Sequence, residues 1–349
     1  MVLVVLSVIF WVWVLRKIGA PHAYGYALVG VISLAVLSVH LFLPDGHQLR
    51  AALGGSLRPW GILAILVGVV ALYAKLLALI REKGAEKMPE KQDDGPFSTV
   101  ELDRYARHIV LREIGGLGQQ KLKAARVLVV GAGGLGSPIL QYLAAAGVGR
   151  LGFIDDDVVS VSNLQRQVLF TEDDLDLPKV FAAEKRLGAL NPHLDLRPYN
   201  RALTEEIAAE LFADYDIVVD GTDSFATRAL VNKTCVDLKM PLISGAISQW
   251  EGQVTVVDQT RNTPCMACLF PKEPAPGTAP SCAEGGVLGA LPGIIGSIMA
   301  AEVVKVITGA GDPLYGRMLI YDALTVTVRT IEIARRDNCE VCGANRLVE

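Results

Sequence analysis

Two Cys-x-x-Cys pairs, Cys265-Met-Ala-Cys268 and Cys339-Glu-Val-Cys342, stand about 70 residues apart. Each pair can supply half of a tetrahedral four-thiolate zinc site, which would pin the C-terminal region back onto the body of the protein. A closed site of this kind has no open coordination position, so the expected zinc is structural. Redox dithiols are the alternative reading of the same spacing. Cys282 lies apart from both pairs, in Gly277-Thr-Ala-Pro-Ser-Cys282-Ala-Glu-Gly-Gly, a loop composition that leaves a thiol accessible for nucleophilic chemistry. A third set handles anions: Arg107, Arg166 and Lys179, with Asp155 and Asp223. Triphosphate and an anionic acceptor can approach one another only when cations neutralise them, and an aspartate at a strand end suits Mg²⁺. Taken singly, each of these residues reads as an ordinary surface ion pair.

These side chains need a scaffold, and the stretch from Arg126 supplies one. Val127 to Val130 is a short β-branched run suited to a buried parallel strand. It leads through Gly131-Ala-Gly133-Gly134-Leu-Gly136 into a helical pattern, where glycines admit a phosphate and the helix offers unpaired N–H groups. A second strand, Leu151 to Ile154, ends in Asp155, about 20 residues past the glycines and placed to accept the ribose hydroxyls. Ile217-Val-Val-Asp-Gly-Thr-Asp223 is another buried strand ending in acids, and ligands of open α/β sheets lie beyond such strand ends. Leu242 to Ile247 and Gln253 to Asp258 read as later strands. Helices are expected from Ser98, where Glu101 completes a capping box, and over 180–190, 204–213 and 226–238, the last burying Cys235. The uncharged run from Gly285 to Ala301 is expected to form a core helix capped near Gly309, because Gly, Pro and the following Glu302 and Lys305 suit a soluble core better than a bilayer.

The first 80 residues differ from the rest. They hold five basic side chains and one acid, a net +4, and the chain total of −4 leaves −8 for the remainder. An acidic body argues against nucleic acid as a partner. The mean hydropathy of +0.38 reflects three apolar segments, 2–15, 23–43 and 60–80. The last two are long enough at about 1.5 Å per residue to cross a hydrocarbon core of roughly 30 Å; the first is either a third span or a signal peptide. Arg16, Lys17, Arg81, Lys83, Lys87 and Lys91 fall on one side and Arg50 and Arg58 on the other, so the body is expected on the cytoplasmic face. The expected domains are a membrane-anchor region (1–80), a charged linker (81–97) and a catalytic domain (98–349).

From Leu102 to Gly343 the sequence resembles the E1-like activating enzymes of the MoeB/ThiF/HesA family, most closely the molybdopterin-synthase adenylyltransferase branch. The resemblance rests on Arg104-Tyr-Ala-Arg107, Gly-Ala-Gly-Gly-Leu-Gly, Asp155-Asp-Asp, Ser162-Asn-Leu-Gln-Arg-Gln167, Lys179, Gly-Thr-Asp223, Glu251-Gly-Gln and both cysteine pairs in order. It also covers the loop from Cys268-Leu-Phe-Pro through Cys282-Ala-Glu-Gly-Gly-Val-Leu-Gly. It implies an α/β, Rossmann-like ThiF/MoeB fold with a mainly parallel sheet and a four-cysteine zinc knuckle, here preceded by two or three transmembrane helices. The implied ATP site takes in Gly131, Gly133, Gly134, Gly136, Asp155, Ser162, Asn163, Leu164, Gln165, Arg166, Lys179, Asp223 and Ser224, with Mg²⁺ on Asp223. Ser224 departs from the asparagine that the family often carries there.

The resemblance further implies a homodimer in which Arg107 reaches the neighbouring subunit's triphosphate. The expected reaction is adenylylation of the C-terminal glycine carboxylate of a ubiquitin-like sulfur carrier ending in Gly-Gly. A MoaD-like carrier is favoured over a ThiS-like one, with Cys282 available for covalent sulfur transfer. No rhodanese-like domain accompanies the catalytic one, so the sulfur donor is expected to be a separate protein. A nicotinamide-dependent oxidoreductase and a tethered binding module without chemistry are the competing readings of the glycine motif.

Overall fold

The computed structural model describes residues 2–17, 21–44, 46–87, 95–272 and 285–343. The chain divides into two units, Met1–Asp94 and Gly95–Glu349.

The first unit is helical: α1 (Val2–Lys17), α2 (His22–Phe42), the short α3 (Gln48–Ala52) and α4 (Arg58–Lys87). Within α4, Arg58–Leu77 has a mean hydropathy of 2.2 and none of it is buried, so by length and composition it could cross a membrane. α1 and α2 hold shorter apolar runs, Leu6–Leu15 and Ala27–Phe42. α4 continues as far as Lys87, into the stretch read as linker, because Arg, Glu, Lys and Ala all favour helix strongly enough to extend one already nucleated. The remainder of that linker up to Asp94 lies outside the described residues.

The second unit begins with α5 (Thr99–Ile109), whose capping box forms as expected: the Ser98 side chain accepts from Glu101 N–H at 3.3 Å and Glu101 accepts from Ser98 N–H at 2.9 Å. After α6 (Gly115–Ala124) come β1 (Arg126–Val130), α7 (Gly136–Ala146), β2 (Arg150–Ile154), the single turn α8 (Val161–Leu164), α9 (Lys179–Leu190), β3 (Asp195–Tyr199), α10 (Glu205–Ala213), β4 (Ile217–Asp220) and α11 (Phe225–Asp237). The remaining elements are β5 (Leu242–Ser248), β6 (Glu251–Val257), α12 (Met266–Leu269), α13 (Leu291–Thr308), β7 (Arg317–Asp322) and β8 (Thr327–Glu332). One eight-stranded sheet runs β3-β2-β1-β4-β5-β6-β7-β8. From β3 to β5 neighbouring strands are parallel, and from β5 to β8 antiparallel.

β1 is buried on both faces, as its unbroken apolar run requires. Val127 and Val129 face one core with α7, α9 and α13, and Leu128 and Val130 face a second with α10 and α11. α13 is the expected core helix, ending at Gly309 in the left-handed conformation. It is as apolar as a membrane span, yet half of it is buried in the body. Sequence reading passed over three strands. β3 carries Pro198 and only partly buried residues, tolerable because it is the sheet edge. β7 has only Met318 fully buried, and β8, the other edge, is exposed along its whole length.

Candidate functional site

The strand order reverses at β1, which pairs with both β2 and β4, and loops from all three strands converge beyond its carboxyl end. Gly131 N–H donates to Ile154 O at 2.9 Å and Gly221 N–H to Val130 O at 2.9 Å, which ties the three turns together. Gly131 has φ +90°, a conformation L side chains resist, and a Cβ on Gly136 would overlap the Gly131 carbonyl oxygen. The turn is therefore closed on itself by its first and last glycines. The two between them are less crowded: a Cβ at Gly133 would come no closer than 3.4 Å, to Gln167, and one at Gly134 no closer than 3.4 Å, to Pro292.

Asp155 supports this turn. Its carboxylate accepts from Ala132 N–H at 2.8 Å and Asp157 N–H at 2.9 Å. Burial pushes its pKa above the ordinary value, against the opposing pull of Lys179 and the two amide donors. Lys179 is only 4 % exposed, and its Nζ donates to Asp157 Oδ2 at 2.6 Å. The pairing spans distant sequence because the two segments are zipped by backbone bonds, Lys179 N–H to Asp157 O at 2.9 Å and Val159 N–H to Leu177 O at 2.9 Å. A side chain at Gly133 would lie 4.0 Å from the Lys179 ammonium and 3.4 Å from Gln167 Nε2, so a buried cation and an amide face the phosphate-binding turn. Gln167 is itself 4 % exposed and its Oε1 has no partner among the described residues.

Ser162, Asn163 and Leu164 form the α8 turn, and Arg166 folds back to donate to Ser162 O at 3.0 Å. Gln165 donates to Val287 O at 3.2 Å, so the chain just beyond Cys282 lands on this turn. Cys282 itself lies outside the described residues. Asp223 is exposed in the turn from β4 into α11, and Ser224 caps that helix by accepting from Thr227 N–H at 3.4 Å. The carboxylates of Asp155, Asp156 and Asp157 lie within 4.8 Å of one another; Asp223 joins no such donor group among the described residues. Arg107 is exposed in the last turn of α5 and makes no hydrogen bond or ion pair with the other expected site residues among those described.

The four paired cysteines do come together. Their sulfurs all lie within 4.8 Å of one another, with Cys265 Sγ 3.7 Å from Cys339 Sγ and Cys268 Sγ 3.4 Å from Cys342 Sγ. Tetrahedral Zn–S bonds of about 2.3 Å put sulfurs about 3.8 Å apart, so the donor set fits zinc. Burial raises the Cys265 and Cys342 thiols. Cys339 is brought down to about 7, the lowering by Cys342 and Val341 backbone N–H groups outweighing the opposite effect of burial.

The pattern of the ThiF family matches residues 105–341. The chain belongs to the ThiF family. It is 53 % identical over 251 residues to the sulfur carrier protein adenylyltransferase of Thermus thermophilus, an alignment covering 71 % of this chain and 93 % of the relative. The SAMP-activating enzyme E1 of Haloferax volcanii is 47 % identical, with 71 % and 91 % covered. The adenylyltransferase and sulfurtransferase MOCS3 of Aedes aegypti is 46 % identical over 78 % of this chain, which spans 63 % of that protein. Among solved structures, E. coli MccB with ATP superposes with a TM-score of 0.56 at 25 % identity, covering 65 % of this chain and 69 % of that one. The chain is an E1-like nucleotidyltransferase, and the oxidoreductase reading of the glycine motif finds no counterpart among these relatives.

Asp157 as the partner of Lys179 and Gln167 as a buried amide were not among the site residues expected from sequence. Asp155-Asp-Asp and Ser162 to Gln167 were both visible as motifs. Which of their members turn inward depends on the local fold.

Proposed function

We propose that this protein adenylylates the C-terminal glycine carboxylate of a small ubiquitin-like sulfur carrier ending in Gly-Gly. The observation that carries this reading is the 53 % identity across 93 % of a sulfur carrier protein adenylyltransferase. In the proposed reaction a carrier carboxylate oxygen attacks the α-phosphorus of ATP, the bond to the bridging oxygen breaks, and pyrophosphate leaves with the electron pair. An acyl-adenylate remains. Asp155 accepts the ribose hydroxyls, Gly131 to Gly136 admit the phosphates, and Lys179 and Arg166 offset their charge so that a second anion can approach. Asp223 would hold Mg²⁺, whose role is to neutralise charge on the phosphates. The four cysteines would hold Zn²⁺ as a structural tie. Arg107, exposed and unengaged with the described site residues of its own subunit, is assigned to the nucleotide of a second subunit in a homodimer.

The carrier is assigned as MoaD-like, for molybdenum cofactor synthesis, on the likeness of the loop that contains Cys282; a ThiS-like carrier for thiamin is the alternative. Sulfur is assigned to a separate donor protein, a sulfurtransferase or cysteine desulfurase. The apolar helices of the first unit are assigned to the membrane, with the catalytic unit on the cytoplasmic side by the bias of Arg and Lys.

ATP–pyrophosphate exchange by the purified full-length chain, with candidate carriers supplied one at a time, tests the reading. Exchange that requires one carrier and is lost in Asp223→Ala is expected. A chain that binds ATP but exchanges with no Gly-Gly carrier would sink it.

A further inference from the structure

Beyond β4 the backbone turns through Gly221, Thr222 and Asp223 into α11, and the middle residue is gripped from two sides. Asp220, 1 % exposed, accepts from Thr222 N–H at 3.0 Å, from the Thr222 hydroxyl at 2.8 Å and from the Ser244 hydroxyl at 3.4 Å. From the first turns of α11, Arg228 donates to the Thr222 carbonyl oxygen through Nε at 2.9 Å and again through Nη2. Every polar group of Thr222 is thus taken, by a buried anion on one side and a guanidinium fork on the other. Its methyl group lies 3.3 Å from where a Cβ on Gly131 would stand, so the same residue braces the phosphate-binding turn.

Capping α11 does not require any of this, because Ser224 already caps it. A buried carboxylate is costly unless it is paired and hydrogen-bonded, and here the whole apparatus converges on one residue, holding the peptide groups on both of its sides. That residue immediately precedes Asp223. With the Thr222 carbonyl and N–H both held, the direction in which the Asp223 side chain leaves the backbone is set before any ligand arrives.

We propose that Arg228 is a positioning residue for the magnesium–nucleotide complex: by forking onto Thr222 opposite Asp220 it aims Asp223 and braces Gly131. The inference rests on the reading of Asp223 as the residue that meets magnesium. Lysine cannot replace arginine in this role, since a point charge lacks the planar fork.

The test is ATP binding by the full-length chain in detergent, by calorimetry, with Mg²⁺ and with EDTA, alongside thermal unfolding. The parent should bind ATP more tightly with Mg²⁺. Arg228→Ala should weaken binding in Mg²⁺ about tenfold while leaving binding in EDTA within about twofold, as expected for a group displaced by a fraction of an ångström. Arg228→Lys should melt with the parent, because the charge opposite Asp220 is kept, yet lose the Mg²⁺-dependent gain. Thr222→Val keeps the methyl contact, loses the hydroxyl bond to Asp220 and should lose about threefold in Mg²⁺ alone. It decides the matter if the Arg228 variants do not fold. Equal losses in Mg²⁺ and EDTA, full recovery by lysine, an unchanged Thr222→Val, or a parent indifferent to Mg²⁺ would each overturn the proposal. Absence of pyrophosphate exchange beside an intact Mg²⁺ split would instead sink adenylylation and leave the clamp standing.

Discussion

Lys179 is a charge held almost out of water, and the Asp157 carboxylate 2.6 Å away is what makes this tolerable. Lys179→Met should lower the rate of carrier adenylylation by about 10²–10³-fold, the usual loss when one preorganised charge is removed from a transition state. Steady-state exchange at saturating carrier checks this. Asp155 makes a pH prediction. Burial raises its pKa, so its carboxylate is lost at a pH where exposed acids are still ionised. Nucleotide affinity should therefore fall as pH drops through that raised value, and Asp155→Asn should flatten the profile measured by calorimetry. For folding the sign is opposite. A carboxyl whose folded pKa is raised contributes its stability in full below its unfolded value and loses it as pH rises through the folded one. Gly136→Ala should cost about 2–4 kcal/mol, because its Cβ would overlap the Gly131 carbonyl. Gly134→Ala, 3.4 Å from Pro292, should cost under about 1 kcal/mol in the same thermal melts.

At the scale of elements, α11 joins two sites that the sequence shows only as separate motifs. Ser224 caps it and its first turn carries Arg228, and Asn232 further along accepts from Met266 N–H at 2.9 Å, in the first cysteine knuckle. The Cys339 knuckle closes the same core from the other end of the unit, so the thiolate cluster fixes how α11 lies on the sheet. Stripping the metal with a chelator, or Cys339→Ser, should lower the thermal midpoint by about 10 °C and weaken ATP binding as well. A variant that melts and binds like the parent would show that the cluster holds no structural metal. The cysteine spacing was enough to expect this cluster. That it is wired to the nucleotide turn through Asn232 was not legible, because asparagine within a helix carries no periodic signal.

Over the whole molecule, an apolar, basic head and an acidic catalytic unit were visible in composition alone, since charge and hydropathy are sums that need no fold. The membrane assignment predicts that the full-length chain stays in the pellet after alkaline carbonate washing; release into the supernatant would remove it. By itself the sequence determined the strand–glycine-turn–helix core, because buried β-branched runs and glycine-only backbone conformations are local demands that few residues satisfy. It likewise determined the capping box at Ser98 and the core helix ending at Gly309. Only the tertiary structure decided which charged residues face the site. Asp157 rather than Asp156 receives Lys179, Gln167 turns inward, and Arg228 reaches back to Thr222, because each depends on a turn closing between segments that carry no mutual signal in sequence. The edge strands β3 and β8 belong to the same class: their residues are half-exposed or wholly exposed, and only pairing with a sheet built elsewhere makes them strands.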